Sequence, residues 1–261
     1  MDYRALLFAI SGIPMGILIN YLADVLPGEP YSPHPVCSNP ECREPYPWIN
    51  YFLLRKCHKC GTLRRPRTWI LLVIVIFSAG YLWLVPPKGI GVFGGLAVLA
   101  YLLLVAIIDL ETHLILRSLS IAGLFVCTGA GILIVGWKAA MIGGVAGFVI
   151  IFIIYLLGKL YSRLRFKKTG SISDEEAFAS GDVTLALLLG LLVGWPLIWL
   201  NLLIGILISG IVGVFVLAGT IVSRHSGKQG LMTFIPLGPG FIIASILIIY
   251  FPSLLSLVVP K

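Results

Sequence analysis

Apolar residues in this chain come in long unbroken runs rather than in alternation, and polar residues are confined to the gaps between them. The runs cover residues 4 to 26, 69 to 86, 89 to 108, 118 to 136, 139 to 160, 182 to 195, 196 to 222 and 235 to 258. Most match the roughly 20 residues that an α-helix needs to cross a bilayer, and the sixth is short. The pattern predicts an all-α fold, a polytopic membrane bundle of about eight transmembrane helices. Gly194, Trp195 and Pro196 mark the turn between the sixth and seventh runs, since proline offers no backbone N–H and tryptophan favours the interface. The first run ends in Ala23, Asp24 and Val25, with no small-residue cleavage site, and is expected to remain as an anchor rather than be removed as a signal peptide.

Composition agrees: 59% of residues are hydrophobic, 11% are charged, and the mean hydropathy is +1.03. These values exclude an ordinary soluble enzyme. Lys and Arg fall unevenly among the gaps. One side collects Arg43, Arg55, Lys56, Lys59, Arg64, Arg65, Arg67, Arg117, Lys159, Arg163, Arg165, Lys167, Lys168, Arg224 and Lys228. The other has only Arg4, Lys88, Lys138 and Lys261. The positive-inside rule then puts the first side in the cytoplasm and both termini outside it. The net charge of +8 is accounted for by topology and anionic lipid, so no nucleic-acid partner is expected.

The longest polar gap divides the chain into a first transmembrane helix (1–26), a cytoplasmic module (27–68) and a membrane core (69–261). Within the module lie Cys37-x4-Cys42 and Cys57-x2-Cys60, two short-spaced thiol pairs with fourteen residues between them. Such pairs suit one tetrahedral Zn²⁺ held by four thiolates. Reduced or redox-active thiols are the alternative. A site closed by four sulfurs leaves no position for substrate, so either role is non-catalytic. The prolines Pro27, Pro30, Pro33, Pro35, Pro40, Pro45 and Pro47 favour turns over long helices there. His58 is expected to be a solvated neighbour of the thiols, and Cys127 a small buried residue within a span.

Two acids stand where hydrocarbon surroundings make them costly. Asp109 ends the run GLAVLAYLLLVAIID, and Asp182 begins GDVTLALLLGLLVGW. An acid so placed is by default functional. The plainer alternatives are a helix cap at Asp182 and an interfacial turn residue at Asp109. Two carboxylates brought together cannot both ionise easily, and they divide into acid and base. Asp182 opens a helix, where the dipole favours the anion, and Asp109 closes one, where it does not. Asp109 is therefore the expected proton holder and Asp182 the expected base. Glu111 lies one step further into the loop, and Asp174, Glu175 and Glu176 are expected to solvate a loop or to balance Arg163, Arg165, Lys167 and Lys168.

The ordered set of AIIDLETHLIL around Asp109, SGDVTLALLLGLLVGW around Asp182, CSNPEC with CHKC, and IPLGPG at 235 to 240 resembles the type IV prepilin peptidases. These are polytopic GxGD-type aspartic proteases of bacterial inner membranes. The resemblance implies catalytic Asp109 and Asp182, supporting residues Gly181, Pro236, Gly238 and Pro239, and a pilin-like precursor as partner. It also implies cleavage at the cytoplasmic face of the inner membrane and a second activity, N-methylation with S-adenosylmethionine. The chain departs from the pattern at Ala179, where GxGD needs glycine. It departs again at Arg117, where Ile-Pro or Leu-Pro is usual, and in RRPRTWI, which lacks an acid after the last cysteine pair. These departures bear more on methylation than on cleavage. Other classes remain open: a proton-coupled carrier, or a relative that binds pilin-like helices without cutting them.

Overall fold

The structure is a computed structural model, and it describes residues 3–27, 34–37, 39, 41–42, 44–113, 115–169, 180–222 and 237–252. Pro236, Ala179, the acids at 174–176, Arg224, His225 and Lys228 lie outside the described residues. Nine α-helices run along the described residues: α1 (Tyr3–Val25), α2 (Trp48–Phe52), α3 (Pro66–Leu84), α4 (Gly91–Thr112), α5 (Arg117–Val135), α6 (Trp137–Thr169), α7 (Ser180–Val193), α8 (Leu197–Val222) and α9 (Gly238–Tyr250). No named strand occurs among them, only an isolated antiparallel bridge between Val36 and Pro45.

Six of these helices, α1, α3, α4, α5, α6 and α8, contain apolar stretches long enough to cross a membrane. The protein is a multi-pass membrane protein. Two shorter apolar helices, Gly181–Val193 and Gly238–Tyr250, complete the expected eight, which is therefore an approximate count of true crossings. The expected turn after the sixth run is present: Gly194 adopts φ +76°, which a side chain would strain.

The chain divides into two compact units, Met1–Ile108 and Asp109–Lys261. In the first, α1 and α3 pack antiparallel. The ring of Phe8 lies 5.1 Å from that of Trp83, Gly16 faces Leu72, and Asp24 at the end of α1 pairs with Arg67 at the start of α3. Pro66 suits the first turn of α3, where its missing N–H costs nothing.

The second unit is built around α7. Leu185, Ala186, Leu188, Leu189 and Leu192 are all buried, so this helix is apolar on every face. A helix surrounded by protein can be short, because its neighbours rather than lipid cover it. Helices α5, α6, α8 and α9 all pack on it. The approach to α6 is backbone to backbone, with Gly143 against Gly190 and Gly147 against the carbonyl of Ala186. Small residues at such crossings let dispersion contacts hold helices together where no hydrophobic drive exists.

Candidate functional site

Asp109 lies in the last turn of α4 and Asp182 in the first turn of α7, and both are buried, at 6% and 8% relative exposure. Glu111, two positions after Asp109, is exposed. Burial therefore separates the two acids that neighbour each other in sequence.

The segments that carry Asp109 and Asp182 are held against each other at two points. Gly181, immediately before Asp182, faces the side chain of Ile115, whose atoms stand 3.2 Å from where a Cβ of residue 181 would be. Gly238, in the first turn of α9, faces Asp109 on one side and Leu185 on the other, with the Leu185 methyl 3.3 Å from the corresponding point. Leu185 is one helical turn beyond Asp182 and lies on the same face of α7. Both contacts involve glycine, because each places another residue where a side chain would begin.

Oδ2 of Asp109 is buried and accepts no hydrogen bond within the described residues. A carboxylate oxygen in that position is costly to leave charged and unsatisfied. The arrangement suits a group that exchanges a proton with a reacting molecule better than one that braces the fold.

The start of α9 is fixed from the other side as well. Ser209 of α8 donates to the carbonyl of Leu237 at 3.4 Å, and the ring of Phe241 fills the space beside Gly205. Pro239 sits in the first turn of α9, where proline is tolerated. Deeper along the same pair of helices, Ser245 donates to Oδ1 of Asn201 at 3.1 Å, and both residues are fully buried. Nothing in the sequence pattern singled out this pair.

In the first unit the four cysteines Cys37, Cys42, Cys57 and Cys60 converge, with all four sulfurs within 4.8 Å of one another. Cys37 and Cys60 sulfurs are 3.5 Å apart, and those of Cys42 and Cys57 are 3.9 Å apart. Four sulfurs at tetrahedral corners around a zinc ion would be separated by about 3.8 Å, given Zn–S bonds of about 2.3 Å. The donor set fits the ion.

Local backbone makes that convergence possible. The amide of Cys37 donates to the carbonyl of Glu44 at 2.9 Å, and that of Tyr46 to Pro35 at 2.8 Å, which folds the first pair into a hairpin. The second pair turns through Cys57 and Gly61, whose amide reaches the Cys57 carbonyl at 2.9 Å, with Gly61 at φ +70°. The thiols are not equivalent. A hydrogen bond with the Thr62 hydroxyl holds Cys60 down to about 6, whereas burial pushes Cys37 up to about 11. Crowded thiols cannot all ionise together, and a divalent cation would remove that conflict. His58 stands outside the cluster and Cys127 is buried in α5, as expected.

One acid that sequence reasoning passed over lies beside this module. Asp24 accepts a 2.6 Å hydrogen bond from the Tyr51 hydroxyl and also pairs with Arg67. The guanidinium of Arg64 lies 3.9 Å from the ring centres of both Tyr46 and Tyr51. The rule that singled out Asp109 and Asp182, an acid at the end of an apolar run, applies equally to Asp24.

Comparison with known proteins adds to the geometry. Residues 96–214, which include both buried aspartates, match the model of the Type IV leader peptidase family. A prepilin leader peptidase/N-methyltransferase of Pectobacterium carotovorum subsp. carotovorum is 26% identical over 63% of this chain and 54% of its own length. One from Klebsiella pneumoniae is 29% identical over 60% of this chain and 68% of its own length. The match thus spans about half to two thirds of these relatives. No solved structure matches the chain.

Proposed function

We propose that this chain, which belongs through residues 96–214 to the Type IV leader peptidase family, is a membrane aspartic endopeptidase that cuts the leader from pilin-like precursors. The observation that carries the proposal is the burial of Asp109 and Asp182 at 6% and 8% exposure, on segments pinned together through Gly181 and Gly238. Both acids lie inside the matched region.

In the proposed reaction the Asp182 carboxylate removes a proton from water as the oxygen attacks the scissile carbonyl. The protonated Asp109 carboxyl donates to the carbonyl oxygen, and a tetrahedral diol forms. Collapse breaks the C–N bond as Asp182 gives the nitrogen the proton it took from water and a diol hydroxyl returns one to Asp109, releasing a leader carboxyl group and a new amino terminus. Asp109 is assigned the proton because it closes α4, where the negative end of the helix disfavours an anion, and because its Oδ2 has no donor among the described residues. Asp182 opens α7, where the helix dipole favours the charged base. In this scheme an essential acid and an essential base together shape the pH profile of cleavage.

Residues 1–26 serve as an anchor, 27–68 as the metal module and 69–261 as the membrane core. Zinc on Cys37, Cys42, Cys57 and Cys60 would supply folding energy to a module too small to hold itself by core burial. The distribution of basic residues supports a cytoplasmic position at the inner membrane for this module and for the two aspartates. Both similar proteins carry N-methyltransferase in their names. Methyl transfer from S-adenosylmethionine to the new amino terminus is the second activity to be tested here.

Co-expression with a candidate precursor, followed by intact mass of the product, tests both activities. Loss of the leader is the expected result, and an additional methyl mass would report the second reaction. An uncut precursor in the presence of the folded protein, or cleavage that survives Asp109→Ala or Asp182→Ala, would overturn the proposal.

A further inference from the structure

We propose that α2 and the residues after it form an interfacial wedge seated on anionic phospholipid beside the α1–α3 pair. The short helix exposes large apolar side chains: Ile49 at 73% and Leu53 at 57%, with Trp48 and Phe52 also exposed. A segment of this kind facing water would carry a contiguous apolar patch, which soluble surfaces avoid.

The depth of the segment follows from what it touches. Tyr21 of α1 meets three α2 rings, with centroid separations of 5.3 Å to Trp48, 5.5 Å to Tyr51 and 6.1 Å to Phe52. Tyr21 is one turn inside the end of α1, about 6 Å along its axis from Val25. In the antiparallel pairing of α1 with α3, the same level of α3 carries Trp69, which is exposed. Tyrosine and tryptophan at matched levels on two spans mark the headgroup belt. The wedge therefore lies at that level and not beyond it.

Polar groups bound it on the outer side. The Tyr51 hydroxyl points away from the apolar rings to Asp24, which also holds Arg67 at the mouth of the two helices. Arg55 and Lys56 follow Leu53 and the half-buried Leu54 and are exposed, whereas the acids Asp24 and Glu44 are engaged with Arg67 and Lys59. Glu41 is exposed in the hairpin. Apolar side chains with adjacent cations match an anionic lipid surface, in which acyl chains receive one and headgroups the other. Covalent attachment to α1 and α3 keeps the wedge at the bilayer, so little affinity of its own is needed.

The full chain is reconstituted in nanodiscs of phosphatidylcholine with phosphatidylglycerol, and Trp48 emission is taken as the difference between the protein and its Trp48→Phe variant. Phosphatidylcholine labelled with a nitroxide near the headgroup should remove most of this difference emission. A nitroxide deep in the chain should remove at least about twofold less, and aqueous iodide should have little effect. Quenching by iodide without quenching by labelled lipid would place the segment in water and overturn the proposal. Protection from both quenchers would show that protein covers it and would equally overturn it. Photolabelling of the unmodified protein by a diazirine lipid gives a check that needs no variant, with the peptide containing residues 48–53 expected among the labelled products and its absence counting against the wedge.

Discussion

Gly238 lies directly against the carboxylate of Asp109, so that a Cβ at position 238 would occupy the space held by Oδ2. The first turn of α9 is thereby the floor on which the acid rests. Gly238→Ala should displace the carboxyl group while leaving α9 helical. Displacement of a catalytic group by about an ångström costs on the order of a hundredfold in rate. Leader release measured by intact mass should fall by that order, and an unchanged rate would show that the contact does not position Asp109.

Asp109→Asn and Asp182→Asn keep the size of each side chain and remove its acid–base chemistry. Each is expected to lower cleavage by at least about a hundredfold. The double variant should be little worse than either single one, since residues that act as a unit are not additive. Two independent, multiplying losses would show that the acids do not share one reaction.

Metal analysis of the purified protein should find one zinc per chain, lost in Cys57→Ser and Cys60→Ser. Protons compete with the metal for thiolate, so release is expected as pH falls and retention as it rises. Chelation should lower the thermal midpoint of the first unit. A chain that carries no zinc at neutral pH and is insensitive to chelator would point to free thiols instead.

Tyr51→Phe removes the hydroxyl that Asp24 accepts at 2.6 Å while keeping the ring packing. The expected cost is roughly 1–2 kcal/mol, read from thermal unfolding in detergent. In an Asp24→Asn background the same change should cost less, because the charged acceptor is gone. Equal costs in both backgrounds would show that the charge on Asp24 adds nothing to the bond.

Ser245→Ala leaves the buried amide of Asn201 without its Ser245 partner. Stability should fall by about 0.6–2 kcal/mol, as for other interhelical hydrogen bonds in membranes. Adding Asn201→Leu should recover part of the loss, because both polar groups are then replaced by apolar ones. A further loss on the second substitution would show that Asn201 has another role.

Several features were legible because each follows from a local rule. The eight apolar runs, the short sixth one, the turn at Gly194 and the cysteine pairs all depend on composition or spacing within one segment. Asp109 and Asp182 were conspicuous because charge is rare in such runs. Asp24 obeys the same rule, but it borders the longest polar gap, where solvent is close and the rule discriminates less. Its partners, Tyr51 and Arg67, lie far along the chain and carry no signature of their own.

By itself the sequence determined an all-helical membrane protein, two acids at helix ends, and two thiol pairs able to bind one metal, because solvent preference and ligand spacing act within each segment. Only the tertiary structure decided that Gly238 supports Asp109, that Gly181 faces Ile115, that α7 is enclosed on all sides and that Asn201 meets Ser245. The physical reason is that lipid accepts an apolar face in almost any orientation, so hydrophobicity alone cannot choose which helices touch. Close packing at glycines and pairing of buried polar groups make that choice.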